Sequence, residues 1–203
     1  MDFAVLLTAF AVIAPVELPD KTFVATLVLA TRYRAGPVWV GVLAAFTVQC
    51  GIAVGAGSLL TLLPERPVQI GVAVLFAIGA VVLLVSARKA ADREKQQEEE
   101  YASKLAVAGA ASPWRAAGTS FLVLFTAEWG DLSQLLTAGL VARYQAPVSV
   151  FAGSLLALAA VSGAAVLLGR WIVTRVSLVL VRYLGATVCG ALAVLTVAGL
   201  ATG

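Results

Sequence analysis

The stretch Glu17-Leu18-Pro19-Asp20-Lys21-Thr22 returns 111 residues later as Glu128-Trp129-Gly130-Asp131-Leu132-Ser133. Each copy sits near the middle of an apolar run long enough to cross a lipid bilayer. A carboxylate at the bilayer centre costs about 2.5–3.5 kcal/mol on insertion scales, while a Leu or Ile returns only about 0.5 kcal/mol. Four of the eleven acidic residues are placed this way. Acids in such positions mark a pathway for a polar substrate or an ion.

Working outward, the offset of 111 aligns more than the acids. Thr22 falls on Ser133, Thr26 on Thr137, Leu29 on Leu140, Arg32 on Arg143 and Tyr33 on Tyr144. Small shifts align Pro37 with Pro147, Gly41 with Gly153 and Gly51 with Gly163. Chance supplies small apolar matches easily. It does not supply acids, hydroxyls and Arg-Tyr pairs together, so the chain reads as two copies of one unit.

The composition fits a polytopic helical membrane protein. Of 203 residues, 61% are hydrophobic and 12% charged, with a mean hydropathy of +0.99. A bilayer core of roughly 30 Å takes about 20 helical residues. The runs are too long and too continuously apolar for barrel strands. We read six spans, near 3–31, 38–63, 68–87, 115–142, 147–169 and 175–200. They are separated by Arg34-Ala-Gly-Pro37, Pro64-Glu-Arg-Pro67, the charged stretch 88–104, Gln145-Ala-Pro147 and Gly169-Arg170. The fold class is all-α: a first three-helix repeat over 1–87, a charged cytoplasmic loop over 88–114 and a second repeat over 115–203. Three spans per copy is an odd number, so the second copy enters the membrane upside down. Inverted repeats of this kind are typical of secondary transporters, whose sites lie at the midplane between the repeats.

Lys and Arg set the orientation. With both termini outside, ten fall in inner loops and helix ends: Arg32, Arg34, Arg88, Lys89, Arg93, Lys95, Lys104, Arg115, Arg170 and Arg175. Two, Arg66 and Arg143, fall outside. Trp39, Trp114 and Trp171 then gather at the inner interface, and Arg182 snorkels toward it. The plasma (inner) membrane is the expected location. The +3 formal charge is no nucleic-acid signal, because the basic residues lie in loops. The absence of histidine removes imidazole as metal ligand and as proton carrier. Cys50 and Cys189 stand alone in apolar segments and read as buried small hydrophobes. Gly51 and Gly55 form a GxxxG helix-packing signature. No enzymatic Ser-His, Cys-His or HExxH arrangement is present, so the chain is not read as an enzyme and needs no resident cofactor.

As chemistry, each Glu-x-x-Asp pair sits at i, i+3, on one face of a helix. Pro15 and Pro19 predict a kinked or broken helix at the first motif, and Gly130 permits unwinding at the second. Freed carbonyls there add oxygen donors. If the two copies meet, Glu17, Asp20, Thr22, Glu128, Asp131 and Ser133 form an all-oxygen set. Such a set suits Ca²⁺, Mn²⁺ or Mg²⁺ rather than Zn²⁺ or copper. Lys21, Gln49, Gln134, Thr137 and Thr26 are candidate lining residues; Phe23 replaces the glutamine in the first copy. Clustered carboxylates titrate together and must ionise to ligate a metal, so one site holds either a cation or protons. Two structural readings stand beside this one. Glu17 and Lys21, at i, i+4, can neutralise each other, and Asp20 can cap a broken helix end.

At these residues the chain resembles uncharacterised protein family 0016, the transmembrane protein 165 family of Ca²⁺/Mn²⁺:proton exchangers. The signature of that family is Glu-x-Gly-Asp-(Lys/Arg)-(Thr/Ser), once per three-helix half, and the resemblance spans the whole chain. It implies export of Mn²⁺ or Ca²⁺ from the cytosol against inward protons, with the acids and hydroxyls of both motifs as the cation site. The chain departs twice: Pro19 stands for Gly, and Leu132 stands for Lys or Arg. The motifs then carry four acids against one base. Other readings are an exporter of a cationic amino acid or metabolite, as in lysine-exporter-type proteins, and a non-transporting membrane assembly factor. A homo-oligomer is left open.

Overall fold

The computed structural model describes residues 1–18, 20–87, 112–175 and 178–202, with only the backbone at 86, 168–175, 178–182 and 201–202. Pro19, most of the charged loop and the side chains of Arg170, Trp171, Arg175 and Arg182 lie outside the described residues. Among those residues the chain is all-helical, with no strand. The helices are α1 (Phe3–Glu17), α2 (Lys21–Arg32), α3 (Ala35–Leu60), α4 (Glu65–Ala87), α5 (Pro113–Ala127), α6 (Leu132–Tyr144), α7 (Pro147–Arg175) and α8 (Leu178–Thr202).

Local chemistry sets several of these ends. Asp2 starts α1 by accepting from the backbone N–H groups of Ala4 at 2.9 Å and Val5 at 3.3 Å. Ser112 caps α5 through the Arg115 N–H, with Pro113 in the first turn where no donor is missed. Gln145 ends α6 in the left-handed region at φ 51°, and Pro147 opens α7 two residues later.

Among the described residues, four helices are long and apolar enough to cross a membrane: Ala35–Leu60, Glu65–Val85, Pro147–Leu167 and Tyr183–Leu200. The pair α1 and α2, bent by 70° at a short break, makes a fifth if counted as one broken span. The continuous runs expected over 3–31 and 115–142 are therefore each split in two, and the splits fall on the two acidic motifs. Ile70, Ile78 and Val81 on α4, with Leu184, Val194 and Leu195 on α8, keep large apolar surfaces exposed, as lipid-facing helices do.

Packing relates the halves. α1 lies on α7, and its counterpart α5 lies on α3; α2 touches α7 and α6 touches α3; α4 and α8 pack on each other. Glycines bring two of these pairs into backbone contact. A Cβ on Gly41 would stand 2.1 Å from the Ala117 carbonyl oxygen of α5. A Cβ on Gly153 would stand 2.3 Å from the Leu6 carbonyl oxygen of α1. Ala117 is the residue 111 after Leu6, so the contact is the same one made twice. Small residues supply this approach in lipid, where helices gain nothing by hiding apolar surface from water. The expected Gly51–Gly55 signature does not do so within the chain: both glycines are exposed, with open space at each Cα. The core between the halves holds Val12, Ile13, Val42, Phe46, Leu124, Leu136 and Leu140.

Candidate functional site

Both motifs lie on helix breaks. α1 ends at Glu17, Leu18 is extended, and Asp20 stands at the N-terminal boundary of α2 with ψ 171°. α5 ends before Glu128, Gly130 has φ +74°, and Asp131 stands at the N-terminal boundary of α6 with ψ 165°. Only glycine takes such a φ without strain. Each break is closed by the same turn: the Asp20 N–H donates to the Glu17 carbonyl at 3.0 Å, and the Asp131 N–H to the Glu128 carbonyl at 3.1 Å. The i, i+3 reading of the Glu-Asp pairs on one helix face is thus corrected. Glutamate and aspartate belong to different helices, because the backbone leaves the helical path between them. Neither aspartate side chain caps the helix it precedes, so the capping reading of Asp20 is corrected too.

The side chains repeat the match. The Thr22 hydroxyl donates to Glu17 Oε2 at 2.9 Å, and the Ser133 hydroxyl to Glu128 Oε2 at 3.2 Å. Both glutamates are buried, at 1% and 3% exposure. In both, the other oxygen, Oε1, is buried with no hydrogen-bond partner. An unsatisfied carboxylate oxygen in an apolar interior is costly, and it is the arrangement expected of a group that receives a ligand or a proton.

The copies also meet. One carboxylate oxygen from each of Glu17, Asp20 and Glu128 lies within 4.8 Å of the others. Oxygens on opposite sides of a Ca²⁺ ion, each at about 2.4 Å, stand about that far apart. Asp131 is not part of this trio; its Oδ1 holds Lys21 Nζ at 2.5 Å, across the two halves. The expected Glu17–Lys21 pairing is corrected: the break between α1 and α2 removes the one-turn register that i, i+4 contact requires.

The remaining lining candidates divide unequally. Gln49 of α3, buried, donates through Nε2 to the Phe125 carbonyl at 2.8 Å and accepts from Gln134. Gln134 Oε1 in turn accepts the Gly130 N–H at 3.0 Å. The second break is therefore braced to α3 by a chain of amides. At the position matching Gln134, Phe23 packs with Val161 and Ala165 instead. Thr137 donates to the Ser133 carbonyl at 2.8 Å, and its hydroxyl oxygen lies 3.3 Å from Ser154 Oγ. The matching Thr26 hydroxyl is buried without a partner. Sequence reasoning missed Ser154; the available signal was its place as one of three serines, with Ser149 and Ser162, inside an apolar span.

The model of the family described as divalent cation/proton antiporter GDT1 matches residues 5–91 and again 116–202. Both ends of the second match stand 111 residues after those of the first, the offset that relates the motifs. GDT1-like protein sll0615 of Synechocystis sp. is 33% identical over 182 residues, covering 85% of this chain and 88% of its own. Protein PAM71, chloroplastic, of Arabidopsis thaliana is 32% identical over 212 residues, covering 96% of this chain and 57% of its own. GDT1-like protein 3 of Arabidopsis thaliana is 28% identical, covering 86% and 64%. The chain thus spans most of the Synechocystis relative but only about three fifths of these plant ones. No solved structure matches. Two matches in register, each containing an acidic helix break near its start, place the chain in the GDT1 family of divalent cation/proton antiporters.

Proposed function

We propose that the protein is a secondary active transporter that exchanges Mn²⁺ or Ca²⁺ for protons and exports the metal from the cytosol. Its fold in the bilayer is six spans, arranged as inverted repeats over 1–87 and 115–203 and joined by a cytoplasmic loop over 88–114. Both termini face outward from the plasma membrane. The substrate ion binds Glu17, Asp20, Thr22, Glu128, Asp131 and Ser133, with Gln49, Gln134, Thr137 and Lys21 around it.

One observation carries this reading. Glu17 and Glu128 each have one oxygen fixed by a hydroxyl from their own motif and one left bare, and both bring a carboxylate oxygen to Asp20 within the span of one ion's coordination shell. The fixed oxygen orients the carboxylate, as groups behind a metal ligand do. The bare oxygen is available to a hard cation or to a proton. Carboxylates must ionise to ligate the metal, so binding the metal expels protons. Opening such a site alternately to each side converts that competition into exchange. Oxygen donors favour Mn²⁺, Ca²⁺ or Mg²⁺, and the thiols of Cys50 and Cys189 are not in the trio.

The test is flux in proteoliposomes carrying an internal pH dye, with Mn²⁺, Ca²⁺, Mg²⁺ and lysine offered separately and in competition. Uptake of Mn²⁺ or Ca²⁺ with opposite proton movement is the expected result. Lysine flux that excludes the metals would establish a cationic-metabolite exporter, and metal binding without any flux would establish an assembly factor.

A further inference from the structure

We propose that Lys21 sets the affinity of the site, because its ammonium competes with the transported ion for Asp131. This inference rests on the cation-site reading above.

Three of the four motif acids bring an oxygen within 4.8 Å of one another, and the absent one is Asp131, the acid that Lys21 holds. The pair joins residues 110 apart in sequence, one from each motif. It is not sealed: the side chains are 30% and 19% exposed. A lysine ammonium is a compact point charge on a flexible four-carbon stem, able to release a carboxylate without rebuilding the backbone. Leu132, at the position matching Lys21, offers no charge. The arrangement is therefore one-sided, with an internal cation satisfying one carboxylate of the ion-free site.

A divalent ion that recruits Asp131 must displace this ammonium. The attraction it replaces is subtracted from its own binding energy. Lys21→Met removes the competitor and leaves Asp131 available, so the ion binds more tightly. The same change takes the counter-charge from the ion-free protein, whose return across the membrane then slows. Lower KM together with lower kcat is the signature. A lysine that only tethers the halves would instead weaken binding when removed.

The measurement is Mn²⁺ binding to the full-length protein in lipid nanodiscs by titration calorimetry, paired with initial flux rates in proteoliposomes. Lys21→Met should lower Kd about fivefold to tenfold, within the range of coupling between two ligands, while Lys21→Arg keeps Kd within about twofold of wild type because its charge still reaches Asp131. Leu132→Lys, a second variant that leaves the Lys21 pair intact, adds an ammonium at the matching place and should raise Kd about fivefold to tenfold. Unchanged or weaker binding in Lys21→Met, or unchanged binding in Leu132→Lys, overturns the inference while the cation site stands. Failure of the wild-type protein to bind Mn²⁺ or Ca²⁺ overturns the site reading, and this inference with it.

Discussion

The two helix breaks are alike in what they offer a cation and unlike in what holds them. Each presents a buried glutamate with a hydroxyl on Oε2 and nothing on Oε1, followed by an aspartate at the start of the next helix. Around the second break, Gln49, Gln134 and the Gly130 N–H form a brace to α3. Around the first, Phe23 packs among apolar side chains, and Lys21 reaches across to the opposite motif. The buried carboxylate–hydroxyl arrangement is duplicated and its mechanical support is not. A transporter needs this combination: equivalent donors from both sides of an ion, on supports that need not move together.

The largest expected effect breaks the likeness at its centre. Glu17→Gln or Glu128→Gln keeps size and removes ionisation, and either should cut Mn²⁺ flux about a hundredfold, the upper range for losing a group that a metal site depends on. Equal loss in both would show that the breaks act as one site; loss in one alone would show that only one copy binds. Next comes the scaffold. Gly41→Ala and Gly153→Ala each push a methyl into a backbone carbonyl, and each should lower thermal stability by about 1–3 kcal/mol, as overpacking does. Melting of the purified variants checks this, and a clear inequality would show that the α3–α5 and α1–α7 contacts are not equivalent.

The hydroxyls come third. Thr22→Val and Ser133→Ala leave the glutamates in place but unanchored, and Mn²⁺ affinity should fall about tenfold in each. The smallest effect probes the difference between the breaks. Gln49→Leu removes the brace and should slow flux only about threefold, in line with losing about one net hydrogen bond. Val161, at the matching position of the second repeat, packs on Phe23 instead, and Val161→Ala should change flux little. If Gln49→Leu instead abolished flux, the amide chain would belong to the ion site rather than to its support.

How much of this was legible in the sequence follows from which interactions are local. The acids, the hydroxyls and the offset of 111 needed only residue identity. The interruption of the helix at the motifs was legible from Pro19 and Gly130, whereas Pro15 stays inside α1. Helix starts were not: Pro37 and Pro67 read as breakers, yet α3 and α4 begin at Ala35 and Glu65. Each proline is the third helical residue, where backbone N–H groups lack an intrahelical partner anyway. The partner of Lys21 was illegible because i, i+4 logic assumes an unbroken helix. The same is true of the Gln49 contact to the Phe125 carbonyl, which links residues 76 apart. In the second copy the broken run 113–144 leaves two helices each too short to cross a bilayer alone. Hydropathy alone sees one continuous span there.

The central claim is that one set of carboxylates holds either a divalent ion or protons. Calorimetric titration of the purified protein with Mn²⁺, repeated in buffers of different ionisation enthalpy, counts the protons released on binding. The account predicts net proton release in the wild type, tighter binding as pH rises, and fewer protons released in Glu17→Gln and Glu128→Gln. Mn²⁺ binding that releases no protons and is indifferent to pH would contradict it.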